Sequence, residues 1–190
     1  MDNNKSVPSR PPRLVARLWR HLWLDHSDVV RLLGPGWDAQ VTQEIGRLES
    51  RGSAEVRLCV EPALPWPWLL RSLGSQREPV VRERALELFG QLRIWDTEHN
   101  TGVLLYVLLA DHAIEVVSDR GLRGIKPEQW QALTNELAQG LQQGQGQTAL
   151  LRALKQCGAL LDGLDLPGDH HGNELPDQPH MATQAPVGSS

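Results

Sequence analysis

The 190-residue chain predicts an α/β domain: a mixed β-sheet of three to four strands flanked by helices, with a helical N-terminal extension. Three observations predict it. Apolar segments of strand length, at 55–61, 103–109 and 114–119, alternate with longer segments whose apolar residues recur at helical spacing. A helical stretch separates the first two strands, which is the pattern of a parallel crossover. Only "ADHA" (110–113) separates the second strand from the third, so those two form an antiparallel hairpin.

Taken in order, residues 13–24 ("RLVARLWRHLWL") read as a helix, with Val15, Leu18, Trp19 and Leu22 on one face. Ser27 is placed to cap a short second helix that ends at "GPG", and Asp38 to cap a third with Val41, Ile45 and Leu48 inward. Residues 55–61 ("EVRLCVE") alternate as a half-buried strand does. "PALPWPWLLRSLGS", with three prolines and two tryptophans, reads as a loop. Residues 82–94 form a helix with Ala85, Leu88, Phe89 and Leu92 inward. Residues 103–109 are apolar on both faces and so lie at the centre of the sheet. Pro127 opens a helix whose Trp130, Leu133, Leu137 and Leu141 share a face; a last helix turns Leu150, Leu154, Cys157 and Leu161 inward. The resulting organisation is a disordered 1–12, a helical extension at 13–37, the α/β domain at 38–162, and a disordered acidic tail rich in Gly, Pro and His at 163–190.

Composition excludes several classes. A net charge of −4 gives no general attraction to nucleic acid. No apolar run approaches the roughly 20 residues that span a bilayer, and "MDNNKSVPSRPPR" lacks a secretory apolar core, so the reading is cytoplasmic. Cys59 and Cys157 sit in apolar patterns and read as buried free thiols. There is no zinc spacing, phosphate loop, dinucleotide fingerprint or Gly-x-Ser-x-Gly. Charge is uneven: Lys5, Arg10, Arg13, Arg17 and Arg20 crowd the start, and no Lys or Arg follows Lys155.

The chemistry-bearing cluster is "WDTEHNTG", where Asp96, Glu98, His99 and Asn100 run into the second strand. The topology gathers this loop, Glu55, and the end of the third strand (Asp119, Arg120, Gly121) at one end of the sheet. Asp96, Glu98 and Asp119 are of the type that holds calcium or magnesium; His99 is of the type that shuttles a proton, and Arg120 that steadies a phosphate. A solvated loop that caps backbone groups accounts for the same residues. Elsewhere, residues 13–24 combine arginines with tryptophans as an interfacial membrane helix does. Trp66 and Trp68 offer anchors for a protein partner. "DHHG" (169–172) with His180 is a weak transition-metal pattern.

"RIWDTEHNTGVLLYVLLADHAIEVVSDRGL" resembles the core signature of the TPM domain family: a helix ending in Trp95, a polar stretch, a Gly102–Leu109 strand, a short turn, and a strand closing on a glycine. "GSAEVRLCVEPALP" looks like the family's first strand, and the resemblance covers roughly residues 38–161. The chain looks most like the short bacterial form without signal peptide or anchor, whose relatives are often membrane-anchored or exported and encoded beside LemA-type membrane proteins. The resemblance implies a mixed sheet flanked by helices. It also implies one of two functions: an accessory module for a membrane-associated or cell-envelope system, or an acid phosphatase with acidic residues and a divalent ion at the sheet end. Where the family closes its last strand with Gly–aromatic–Gly, this chain has Ser118, Asp119, Arg120 and Gly121, a charged pair in place of a backbone-lined turn.

Overall fold

A computed structural model describes residues 13–50, 54–73, 77–164 and 178–181. The expected disorder of 1–12 and the "DHHG" pattern lie outside the described residues. In chain order the elements are α1 (Arg13–Trp23), α2 (His26–Leu33), α3 (Trp37–Glu49), β1 (Val56–Glu61), α4 (Trp66–Leu73), α5 (Arg77–Gln91), β2 (Val103–Leu108), β3 (Ala113–Ser118), a single 3-10 turn (Arg120–Leu122), α6 (Pro127–Gln142), α7 (Gly146–Asp162) and β4 (His180–Met181).

The sheet order is β3-β2-β1-β4. β1 and β2 run parallel in the register Val56 with Val103, and β2 and β3 pair antiparallel with Val103 opposite Ser118. Both pairings follow the sequence expectation, and β2 is central. One face of the sheet (Val56, Leu58, Val60, Val103, Leu105, Val107) packs with Trp37, Val41, Ile45, Leu133, Leu137, Leu150 and Leu154 in the larger core. The other face (Cys59, Leu104, Tyr106, Leu108, Val117) packs with Leu64, Leu69, Val80, Ala85 and Leu88. Period-2 alternation in the strands thus feeds two helical layers. Both cysteines are buried and free, and burial pushes the Cys157 thiol up to about 12.

Five expectations are corrected. β1 is buried on both faces rather than half-buried, because Arg57 and Glu61 are enclosed as well. The Trp66–Leu73 segment is helix, not loop: Pro65 and Pro67 flank its first residue, where a missing N–H breaks no helical bond, and the Leu69 N–H closes the first turn on Pro65 O at 3.0 Å. α2 is capped by Asp25 instead of Ser27, in a capping box with Asp28. α3 starts on a left-handed Gly36 with no side-chain cap, so Asp38 lies inside its first turn. The tail contributes a strand: His180 and Met181 pair parallel with Cys59 and Val60 of β1.

Candidate functional site

The loop between α5 and β2 begins with two tight turns. Arg93 adopts a left-handed φ of 55°, the Ile94 N–H reaches back to Phe89 O at 3.1 Å, and Ile94 is buried. Asp96 then pairs with Arg93 through Nη2, in the open. Thr97 organises the next turn: its Oγ1 accepts the Thr101 N–H at 2.9 Å and its carbonyl accepts the Asn100 N–H at 3.2 Å. Asn100 sits at φ 56°, which its short polar side chain tolerates.

This loop is sewn to the end of β3. The Asp119 N–H donates to Gly102 O at 2.9 Å, the Gly121 N–H to Asn100 O at 2.9 Å, and Arg120 Nε to Asn100 Oδ1 at 3.0 Å. Two glycines permit the approach. A Cβ on Gly121 would stand 2.5 Å from His99 O, and one on Gly102 would stand 1.9 Å from Ile94 O. The structure therefore brings 96–101 and 119–121 together, as the sequence topology predicts.

It also shows what these side chains do there. Asp119 Oδ1 accepts the Arg120 N–H at 2.6 Å and caps the 3-10 turn. His99 is partly buried, with Nε2 3.8 Å from Glu98. Among the described residues no group of three His, Cys, Asp or Glu is placed to hold a metal ion.

Beside this loop lies a groove of about 640 Å³ between β3 and the first turns of α6. Asp119 and Arg120 are on its wall, joined by Arg82, Glu115, Arg123 and Trp130. The sequence reading did not single out Arg82, Arg123 or Trp130 as site residues. Only the position of α6 against β3 unites them.

The opposite end of the sheet, at the carboxyl ends of β1 and β2, holds two enclosed ionic clusters. Arg17 of α1 grips Asp111 with Nε to Oδ1 and Nη2 to Oδ2, both 2.8 Å, and Arg20 Nε donates to Ala110 O at 2.8 Å. His21 Nδ1 accepts the Leu64 N–H at 3.0 Å, which leaves the ring proton on Nε2, 3.3 Å from Asp111 Oδ1. Burial would raise the Asp111 carboxyl. The hydrogen bonds from His21 and Arg17 outweigh it and hold the group well below the usual carboxylate range. In the second cluster, Glu61 takes Arg84 from α5 and the Tyr106 hydroxyl at 2.6 Å. Burial, then the Glu61 charge, push the Tyr106 phenol well above its ordinary value.

Because Arg17 and His21 face inward, the outer face of α1 is apolar. Val15, Trp19, Leu22 and Trp23 are exposed, Trp23 by 71%, and the rings of Trp19 and Trp23 stack at 5.8 Å. Of the four residues the sequence places on one face, Val15, Trp19 and Leu22 are exposed, and Leu18 packs against the core. α4 carries a second stripe, Trp66, Leu70 and Leu73, all exposed. The two tryptophans of α4 divide: Trp66 is open, while Trp68 packs on the core with the Arg71 guanidinium 5.2 Å from its ring. The His21–Leu64 bond ties α1 to the segment just before α4, and Leu18 and Trp68 pack against the same core cluster.

Comparison with known proteins gives a consistent placement. The family model for the TPM domain matches residues 27–160, more than half of the chain. A solved structure, the NMR structure of the BA42 protein from the psychrophilic bacterium Bizionia argentinensis, superposes with a TM-score of 0.62 at 22% identity, covering 79% of this chain and 95% of that one. That likeness concerns the fold. No curated protein gives a significant match. With the signature strands, the sewn loop and the flanking helical layers in place, the chain belongs to the TPM domain family.

Proposed function

We propose that this TPM domain is an accessory binding module that docks on a membrane-associated partner through the apolar stripes of α1 and α4. The exposure of Trp19 and Trp23 carries the reading. A folded chain gains by turning tryptophans inward, yet α1 spends its inner face on Arg17 and His21 and leaves both rings in water. Covering about 100 Å² on each of Trp19, Trp23 and Trp66 would contribute roughly 2.5 kcal/mol apiece. Large aromatic anchors of this kind dominate docking energies. No described helix is long and apolar enough to cross a membrane, so membrane association of the described part would run through a surface such as this one.

The test is site-specific photo-crosslinking in cells from positions 19, 23 and 66, with the exposed position 155 on α7 as control. The proposal expects one membrane-fraction adduct shared by the three and missing from the control. Adducts equal at all four positions would contradict it.

A second reading, a phosphomonoesterase at the loop end of the sheet, draws support from Arg120 and Arg123 lining a groove beside Asp119. Phosphate release from a panel of monoesters, with and without magnesium, calcium or manganese, tests it. Turnover lost in both Asp96→Asn and Arg120→Ala favours this reading; activity absent, or equal in the variants, rejects it.

A further inference from the structure

β3 is the outer strand of the sheet, and among the described residues nothing pairs with its free edge. The ladder fixes which backbone groups face out. The Asp119 N–H donates inward to Gly102 O, so by the alternation of an antiparallel ladder Val117, Glu115 and Ala113 also point to β2. Ile114, Val116 and Ser118 point their N–H and C=O groups outward, and all three line the groove against α6. One bond confirms the parity: Arg82 Nη1 donates to Val116 O from outside the sheet. Edge strands are ordinarily blunted by charges or coverage. Here the only described cover over those outward groups is that single arginine.

The groove's chemistry is two-sided. Even-numbered residues of β3 face the layer of α6, where Trp130, Leu122 and Ile125 form an apolar wall; odd-numbered residues face α5 and Arg82. Its carboxylates are engaged, Glu115 with Arg82 at 3.3 Å and Asp119 with the Arg120 N–H. Among the described residues Arg120 hydrogen-bonds the neutral Asn100 amide, and Arg123 is exposed. The groove is therefore cationic at its rim and apolar on its helix side.

We infer that the β3 edge is a docking site for an extended acidic peptide of a partner protein, which adds a fifth strand between β3 and α6. The six residues of β3 span about 20 Å and match a hexapeptide. Alternate apolar side chains of the peptide would lie against Trp130, and alternate carboxylates would meet Arg82, Arg120 and Arg123. Main-chain bonds to Ile114, Val116 and Ser118 would supply affinity, as in other helix-and-strand grooves that take peptides by strand addition. This inference is independent of the α1/α4 docking face.

The probe is a fluorescein-labelled, end-blocked hexapeptide of alternating valine and glutamate, titrated with the full chain and followed by anisotropy. Saturable binding is expected. Methylating alternate peptide amides should weaken it about tenfold, the worth of one or two ladder bonds. Val116→Pro removes an outward N–H and no internal ladder bond, so it should weaken binding similarly with an unchanged circular dichroism spectrum. Arg120→Glu/Arg123→Glu should weaken it at least as much and favour the valine–lysine peptide. Equal binding of the methylated peptide overturns the inference, whether or not Val116→Pro folds. So does the absence of saturation at about 1 mM. Two other occupants are also distinguishable. A dimer by light scattering that Val116→Pro dissolves would assign the edge to a second copy. Tighter peptide binding after neutralising Asp165, Asp169, Glu174 and Asp177 would assign it to the chain's own tail. Either result replaces the partner peptide.

Discussion

Arg17 and Asp111 lie 94 positions apart in sequence and are joined by two parallel hydrogen bonds of 2.8 Å, with the Asp111 side chain wholly enclosed. That pair clamps α1 onto the β2–β3 turn and decides which face of α1 meets water. A bidentate guanidinium–carboxylate pair is among the stronger polar contacts, and breaking one partner of a buried pair costs about 3–5 kcal/mol. Asp111→Asn should therefore lose about that much in urea unfolding. Arg17→Met combined with Asp111→Leu should lose less than the sum of the single changes.

The same pair fixes an acid dependence. Asp111 titrates below its ordinary value in the fold, so its contribution is fully present above the unfolded carboxylate value of about 3.9 and fades as pH falls toward the folded value. Wild-type stability should drop more steeply than that of Asp111→Asn below about pH 4. Parallel curves for the two proteins would contradict the assignment.

Tyr106 gives an alkaline counterpart. It is the only tyrosine in the chain, so absorbance at the phenolate band reports one group. Its folded value is raised by burial and by Glu61, so the fold holds the proton that the unfolded chain releases near pH 10. Stability should fall as pH rises past that point, and the phenolate should form only together with unfolding. A simple titration near pH 10 in folded protein would contradict the buried Glu61 bond.

The two glycines of the sewn loop should be intolerant of a methyl group. Gly121→Ala should cost roughly 1–3 kcal/mol through overpacking against the His99 and Asn100 carbonyls, and Gly102→Ala at least as much. Gly144→Ala offers a contrast, because no atom lies within 4 Å of its added Cβ and its cost comes from a φ of 71° alone. Thermal unfolding of the three variants orders these effects.

How much of this was legible in the sequence varies with the distance between the groups involved. The inward faces of α6 and α7 follow from period 3.6, and Leu133, Leu137, Leu150, Leu154, Cys157 and Leu161 are buried as expected. The pairing of β1, β2 and β3 follows from the lengths of their connections. The gathering of 96–101 with 119–121 follows in turn from that topology. The orientation of α1 does not follow, because apolar periodicity marks an apolar face without saying whether it meets core or solvent. The partner that sets it, Asp111, is remote in sequence. α4 was hidden by prolines that a first helical turn accepts, and β4 by being two residues long in a polar tail. Asp96, Glu98, His99, Asp119 and Arg120 were placed at the correct end of the sheet. Their bonds to Arg93, to one another and to backbone are properties of geometry that spacing does not carry.

The most direct test of the docking face is flotation of the protein with membranes of the cell it comes from. Wild type is compared with Trp19→Ser/Trp23→Ser and with Asp96→Asn/Glu98→Gln. Both pairs are at the surface, so stability should change by no more than about 0.5 kcal/mol per site. The account predicts co-flotation of wild type and of the loop variant, loss in the tryptophan variant, and loss for wild type once the membranes are stripped of protein by protease. Retention after protease, or on protein-free anionic vesicles, would make lipid rather than protein the partner of residues 13–24. Co-flotation of the tryptophan variant at the wild-type level would contradict the claim that α1 is the docking face.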